Sequence, residues 1–195
     1  MRDRYVEIRG ATVRFRFRGK SGKDHSIVVN DRRLASIVRR CQELPGYELF
    51  QYADPQGQSQ TIASGDVNDY LRTVSGQNYT AKDFRTWAGT LLAARALHEC
   101  GAGSTLQRQI KQHIVRVVTQ VAERLGNTVA VCRKCYIHPA VLQGYADGYL
   151  LTMQAQYEKQ RDKNIGVTWS EEEAALVAFL RRWLTHPQEQ LKTAA

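Results

Sequence analysis

Two hydrophobic periods divide this chain, and the points where one gives way to the other restrict its architecture. In Thr12 to Phe17 (TVRFRF), Val13, Phe15 and Phe17 alternate with Arg14 and Arg16. A period of two puts apolar and cationic residues on opposite faces of a strand. Tyr5 to Ile8 is a second β-prone run, separated from the first by Arg9 and Gly10, and His25 to Val29 a third. Together they predict a small antiparallel sheet, with the polar turn Gly19 to Asp24 at its tip.

From Asp31 the period becomes helical. Leu34, Ile37, Val38 and Cys41 fall on one face of a helix that Pro45 and Gly46 close. Glu48 to Tyr52 and Gln58 to Ile62 read as short strands around ADPQGQ. Beyond Ser64 the chain is helical throughout. Ser64 is read as the cap of a helix through Asp66 to Val74, and Thr80 with Asp83 as the capping signal for a long helix ending near Gly101. Further helices are expected from Ser104 to about Leu125, through Tyr136, and from Pro139 to about Gln154. Gln156 to Gly166 reads as a linker. Ser170 and Glu173 form a capping box for a last helix, Glu171 to His186, striped by Ala174, Leu176, Val177, Leu180 and Trp183. The expected fold class is α+β: a small N-terminal sheet, then a mainly helical body. The division is a β-rich part over 1–62 and a helical part over 63–195, within one domain.

The chain of 195 residues carries a formal charge of +9, which makes a polyanion the natural partner. Each phosphate neutralised by Lys or Arg releases condensed counterions, so nucleic acid leads the candidates. No run approaches the roughly 18 apolar residues that cross a bilayer, and a cytoplasmic protein without a membrane partner is expected. Cys41, Cys100, Cys132 and Cys135 are too few and too irregular for a disulfide scaffold. Cys132-x-x-Cys135 invites a zinc reading, with His138 as a third ligand. A structural zinc site needs four ligands, however, and no second pair accompanies the first. A redox pair calls for a preceding strand, whereas a long amphipathic helix precedes this one. Two incidental thiols remain the favoured reading, and no metal is expected.

In-line displacement at a phosphodiester requires a nucleophile, cations around the equatorial oxygens and an acid for the leaving oxygen. No glycine-rich phosphate loop or paired acidic metal site is present, which leaves a metal-free scheme built from Arg, Lys, His or Asn, and Tyr. Lys20 at the hairpin tip, Arg85 in the first turns of the long helix and Tyr136 after Arg133 and Lys134 are candidates. Each also has an ordinary reading: a solvated turn cation, a surface arginine, a core tyrosine. Residue chemistry alone reaches a basic, DNA-binding chain with phosphoryl transfer as an open possibility.

Three segments go further. FRGKSGKDH (Phe17 to His25), ASGDVNDYLR with TAKDFRTWAGT (Ala63 to Arg72, Thr80 to Thr90), and LGNTVAVCRKCYIHP (Leu125 to Pro139) resemble, in order and spacing, the catalytic domain of bacterial type IB DNA topoisomerases. Poxvirus topoisomerases and tyrosine recombinases are more distantly similar. The resemblance implies an ATP-independent isomerase that needs no metal and relaxes supercoils in double-stranded DNA, as a monomer at the nucleoid. By position, Tyr136 matches the nucleophile that forms a 3′-phosphotyrosyl intermediate, Lys20 the general acid, and Arg85 one of two arginines on the non-bridging oxygens. Asn127 matches a donor to a non-bridging oxygen. Lys82 is expected to contact phosphate, and Lys23, Arg133 and Lys134 to lie along DNA. The resemblance also places a first catalytic arginine and an N-terminal DNA-clamp domain upstream of the segment MRDRYVEIRG, so the chain is expected to be a C-terminal catalytic domain lacking both. A recombinase-like strand transferase and a non-catalytic DNA-binding fragment are the rival readings. Lys82-x-x-Arg85 and the Lys20 hairpin weigh against the first of these.

Overall fold

The computed structural model describes residues 2–19, 22, 24–101, 107–160 and 170–185. Contacts divide the chain into two compact units, Met1–Ala81 and Lys82–Ala195.

The first unit carries the sheet. β1 (Val6–Arg9), β2 (Thr12–Arg18) and β3 (Asp24–Asn30) are antiparallel in that order. Val6 pairs with Phe15, Arg9 with Thr12, Phe15 with Ile27 and Phe17 with His25. The last two rings stack, with centroids 5.1 Å apart. Gly10, with φ of 58°, makes the tight β1–β2 turn without a Cβ penalty. The alternation in TVRFRF is borne out at its apolar end, where Val13 is fully buried against Ala35, Val38 and Leu49.

Helix α1 (Arg32–Gln42) begins where Asp31 accepts the Leu34 N–H at 2.8 Å. Its buried face keeps Val38 and the partly buried Cys41 of the expected stripe, but not Leu34 or Ile37. Leu34 and Ile37 are 45% and 46% exposed, and Ala35 with Val38 faces the sheet instead. A three-stranded sheet leaves room beneath it for a narrow stripe, and the small Ala35 permits the closer approach to Val13. β4 (Gln51–Ala53) and β5 (Ser59–Thr61) pair as read from the sequence, with Asp54 accepting the N–H groups of Gln56 and Gln58 in the turn. α2 (Ser64–Ser75) is also present, but its cap is Ala63 rather than Ser64. The Asp66 carboxylate takes the Ala63 N–H at 2.7 Å.

The second unit contains α3 (Ala81–Cys100, whose first residue belongs to the first unit), α4 (Gln107–Leu125), α5 (Val129–Cys135), α6 (Pro139–Ala146), α7 (Tyr149–Gln160) and α8 (Glu171–Thr185). Its core gathers Ala93, Leu97, Val117, Val121, Val141 and Phe179 from four of these helices. The stretch read as one helix from Pro139 breaks at Gly148, whose φ of 73° is left-handed. The linker reading of Gln156 to Gly166 fails over its first residues, because α7 continues to Gln160. The expected start at Ser104 and the helix end at His186 lie outside the described residues. In α8 the stripe centres on Leu176 and on Phe179, which the sequence reading passed over. Phe179 packs its ring 5.7 Å from Trp183 and 5.9 Å from Tyr149.

The Ser170–Glu173 capping box forms as expected. One Glu173 oxygen accepts the Ser170 N–H at 2.9 Å, and the other lies 3.3 Å from Trp87 Nε1 on α3. These bonds, the Ser170 N–H foremost, hold the Glu173 carboxyl below its ordinary value of 4.5. A carboxyl depressed by folding stabilises the protein above its unfolded pKa and loses that contribution as pH falls through the folded one. Glu173→Gln should therefore lower the urea midpoint at pH 7, and the gap to the wild type should narrow below about pH 4.5. A gap that is constant from pH 7 to pH 3 would show that the carboxylate does not link α8 to α3.

Candidate active site

The site assembles on the first turns of α3, the end of α4, and α5. Helix α4 stops in a glycine motif: Gly126, with φ of 68°, donates to Glu123 O at 3.1 Å, and Asn127 N–H donates to Ala122 O at 2.8 Å. These are the two hydrogen bonds of a Schellman cap, and only a residue at ease with positive φ fits at 126. The cap turns the chain sharply, so that Thr128 starts α5 by accepting the Val131 N–H at 3.3 Å.

The last α4 carbonyl, Leu125 O, is the meeting point. Arg85 donates to it at 2.7 Å, and Asn127 donates its Nδ2–H at 3.1 Å. Arg85 also lies over the Tyr136 ring, its guanidinium carbon 4.8 Å from the centroid. Three residues singled out in the sequence, Arg85, Asn127 and Tyr136, are thus brought together around one carbonyl and one ring. An arginine has five N–H donors in a planar fork, so one bond to Leu125 leaves the rest of the fork available to an anion. A phenol is a weak nucleophile that depends on its surroundings for activation.

Tyr136 closes α5, its N–H donating to Cys132 O at 2.9 Å. Its neighbours are supported from α3 by residues that the sequence reading did not single out. The single Thr86 hydroxyl proton is shared between two carbonyls, Lys82 O at 2.9 Å and Cys135 O at 3.3 Å. Thr90 Oγ1 accepts the His138 N–H at 3.0 Å and donates to Thr86 O at 2.7 Å. Between them, Gly89 is buried so tightly that an added Cβ would collide with the Tyr136 carbonyl oxygen. The recurrence of small residues at 86, 89, 90 and 93 is the signal that was available, since i, i+3, i+4 and i+7 share one helix face.

The remaining candidates are spread more widely. Lys82 is exposed in the first turn of α3, one turn before Arg85. Arg133 and Lys134 are exposed in the last turn of α5, just before Tyr136. Lys20 and Lys23 lie outside the described residues. Cys132 is fully buried in the core, and burial pushes its thiol up against the opposing pull of the Arg85 charge. A neutral buried thiol is a poor metal ligand or nucleophile. Among the described residues no group of three or more His, Cys, Asp or Glu side chains is placed to hold a metal, and no helix is long and apolar enough to cross a membrane.

Within the second, mostly helical unit, a tyrosine thus lies beneath a guanidinium. The comparison with known families is more specific. Residues 1–164 match the family described as eukaryotic DNA topoisomerase I, catalytic core. The DNA topoisomerase 1B of Acanthamoeba polyphaga mimivirus is 28% identical over 151 residues, which cover 74% of this chain and 45% of that protein. The chain belongs to the type IB DNA topoisomerase catalytic-core family, a family of isomerases. It spans under half the length of the viral relative.

The Gly89 contact gives a direct test. Alanine is favoured over glycine in a helix by about 1 kcal/mol, but the collision with a backbone carbonyl should outweigh that gain. Gly89→Ala should cost about 1–3 kcal/mol in urea unfolding. A neutral or stabilising outcome would show that α3 does not approach the Tyr136 backbone this closely.

Proposed function

We propose that the chain is the catalytic core of a type IB topoisomerase acting on duplex DNA, with Tyr136 as its nucleophile. The observation that carries this reading is the Arg85 guanidinium seated over the Tyr136 ring while both Arg85 and Asn127 hold the Leu125 carbonyl. The charge of +9 supports a polyphosphate partner.

In the proposed step the Tyr136 phenolate oxygen attacks the scissile phosphorus, the bond from phosphorus to the 5′ oxygen breaks, and Lys20 supplies the proton that the departing oxygen takes. Arg85 and Asn127 donate to the non-bridging oxygens as charge builds there, with Lys82 on a neighbouring phosphate. Lys23, Arg133 and Lys134 hold flanking backbone. The energy of the broken phosphodiester is kept in the tyrosyl ester, so resealing runs as the reverse step, without ATP or a metal. Rotation of the free 5′ end between the two steps relaxes supercoils. Asparagine at 127 favours a bacterial member, working as a monomer at the nucleoid.

A nicked duplex that loses its 5′ fragment on cleavage traps a phosphotyrosyl adduct. Wild-type chain should form the adduct and Tyr136→Phe should not, while both bind DNA with the same salt dependence. Salt-dependent binding without any wild-type adduct would instead make the chain a non-catalytic DNA-binding module.

Arg85→Ala should slow adduct formation about a hundredfold to a thousandfold, the usual cost of one lost donor to a transition-state oxygen. A rate within a factor of two of wild type, measured by single-turnover quench, would remove Arg85 from the chemistry.

A further inference from the structure

We infer that Thr86 and Thr90 are positioning residues for the nucleophile, a hydroxyl pair on α3 that fixes the backbone on both sides of Tyr136 and so sets its phenol under Arg85. The inference rests on the reading of Tyr136 as nucleophile and adds to it the device that orients the side chain.

Tyr136 itself is poorly restrained by its own helix. It stands at the C-terminal end of the seven-residue α5, with φ of −127° and ψ of −2°, outside helical geometry. A single backbone bond, to Cys132 O, ties it to that helix. The flanking peptides are tied to α3 instead. Before the tyrosine, Cys135 O lies 3.3 Å from the Thr86 hydroxyl; after it, the His138 N–H donates to Thr90 Oγ1 at 3.0 Å. Thr90 is almost wholly buried, and its hydroxyl is used in both directions, donating to Thr86 O and accepting from His138. A valine at 90 would keep the shape and leave a part-buried N–H without its partner, which is costly in a way that a lost surface bond is not. The His138 peptide would then shift to find another acceptor.

Arg85 is on the same helix, in the same turn as Thr86. One helix therefore carries the guanidinium and both hydroxyls, and the separation between Arg85 and the Tyr136 ring is set by two hydroxyl contacts from that helix. An error of about 1 Å in such a separation costs on the order of a hundredfold in rate. The partners of both hydroxyls are backbone groups, so the effect acts through the backbone.

The experiment uses the full chain with the nicked duplex, and reads DNA affinity and single-turnover cleavage separately. Thr90→Val should bind DNA as wild type does and cleave about tenfold to a hundredfold more slowly, while Thr90→Ser, which restores the hydroxyl, should recover the rate. Tyrosine ring signals from selectively labelled protein should move for Tyr136 in the valine variant and return in the serine variant. Should Thr90→Val fail to fold by circular dichroism, Thr86→Val and Thr86→Ser form the equivalent pair. Wild-type cleavage with unchanged rates and ring signals in the valine variants, or a serine variant as slow as the valine one, would overturn the positioning role and leave Tyr136 as nucleophile. Absence of a wild-type adduct would overturn both.

Discussion

A helix can lie against another segment's backbone only where it has no side chain to keep them apart, and in this chain that place is Gly89. Its missing Cβ admits the Tyr136 carbonyl into the surface of α3. The close approach brings Thr86 and Thr90 within hydrogen-bonding reach of Cys135 O and the His138 N–H. It also determines where α5 must end, and from there α6 starts with His138 as cap and Pro139 at its first position, where the missing N–H costs nothing. Helix α3 also contributes Ala93 and Leu97 to the core that they share with Val117 and Val141.

Electrostatics are added to that frame rather than building it. Arg85 and Asn127 come from segments 42 residues apart, yet they share one acceptor, because the Schellman cap at Gly126 turns Leu125 O toward α3 and carries Asn127 back beside it. A cation over an aromatic face contributes about 0.5–1 kcal/mol at an exposed site, too little to organise a fold and enough to prefer one side-chain arrangement within it. The pair of cysteines, which draws attention in the sequence, divides by environment: Cys132 belongs to the core and Cys135 is half-buried beside the site.

Legibility followed the strength of the local signal. The alternation of TVRFRF, the capping box at Ser170 and the turn around Asp54 were readable, because each rests on neighbours within five residues and no distant contact competes with it. Half of the α1 face, Leu34 and Ile37, departs from its expected burial for the opposite reason. Leu34 and Ile37 are larger than Ala35, and periodicity ranks residues by apolarity, whereas a small sheet selects for what fits beneath it. Phe179 was passed over in the same way, since its place among Tyr149 and Trp183 depends on α6 and α7. Of the site, the residue types and their order along the chain were legible as motifs, and with them the family. The Thr86 and Thr90 hydroxyls were not, because a threonine in a helix gives no sign of which carbonyl or amide will face it.

By itself the sequence determined the α+β order of elements, the positive charge, the glycine that ends α4, and the string of residue types on which the family resemblance rests. Those are properties of composition and of short-range geometry, carried by the chain wherever it goes. Tertiary structure alone decided that Arg85, Asn127 and Tyr136 converge, that Leu125 O is the acceptor they gather around, and that α3 holds the tyrosine's backbone. The reason is steric. Convergence depends on how closely two segments distant in sequence can pack, and that distance is set at Gly89 by a side chain that is not there.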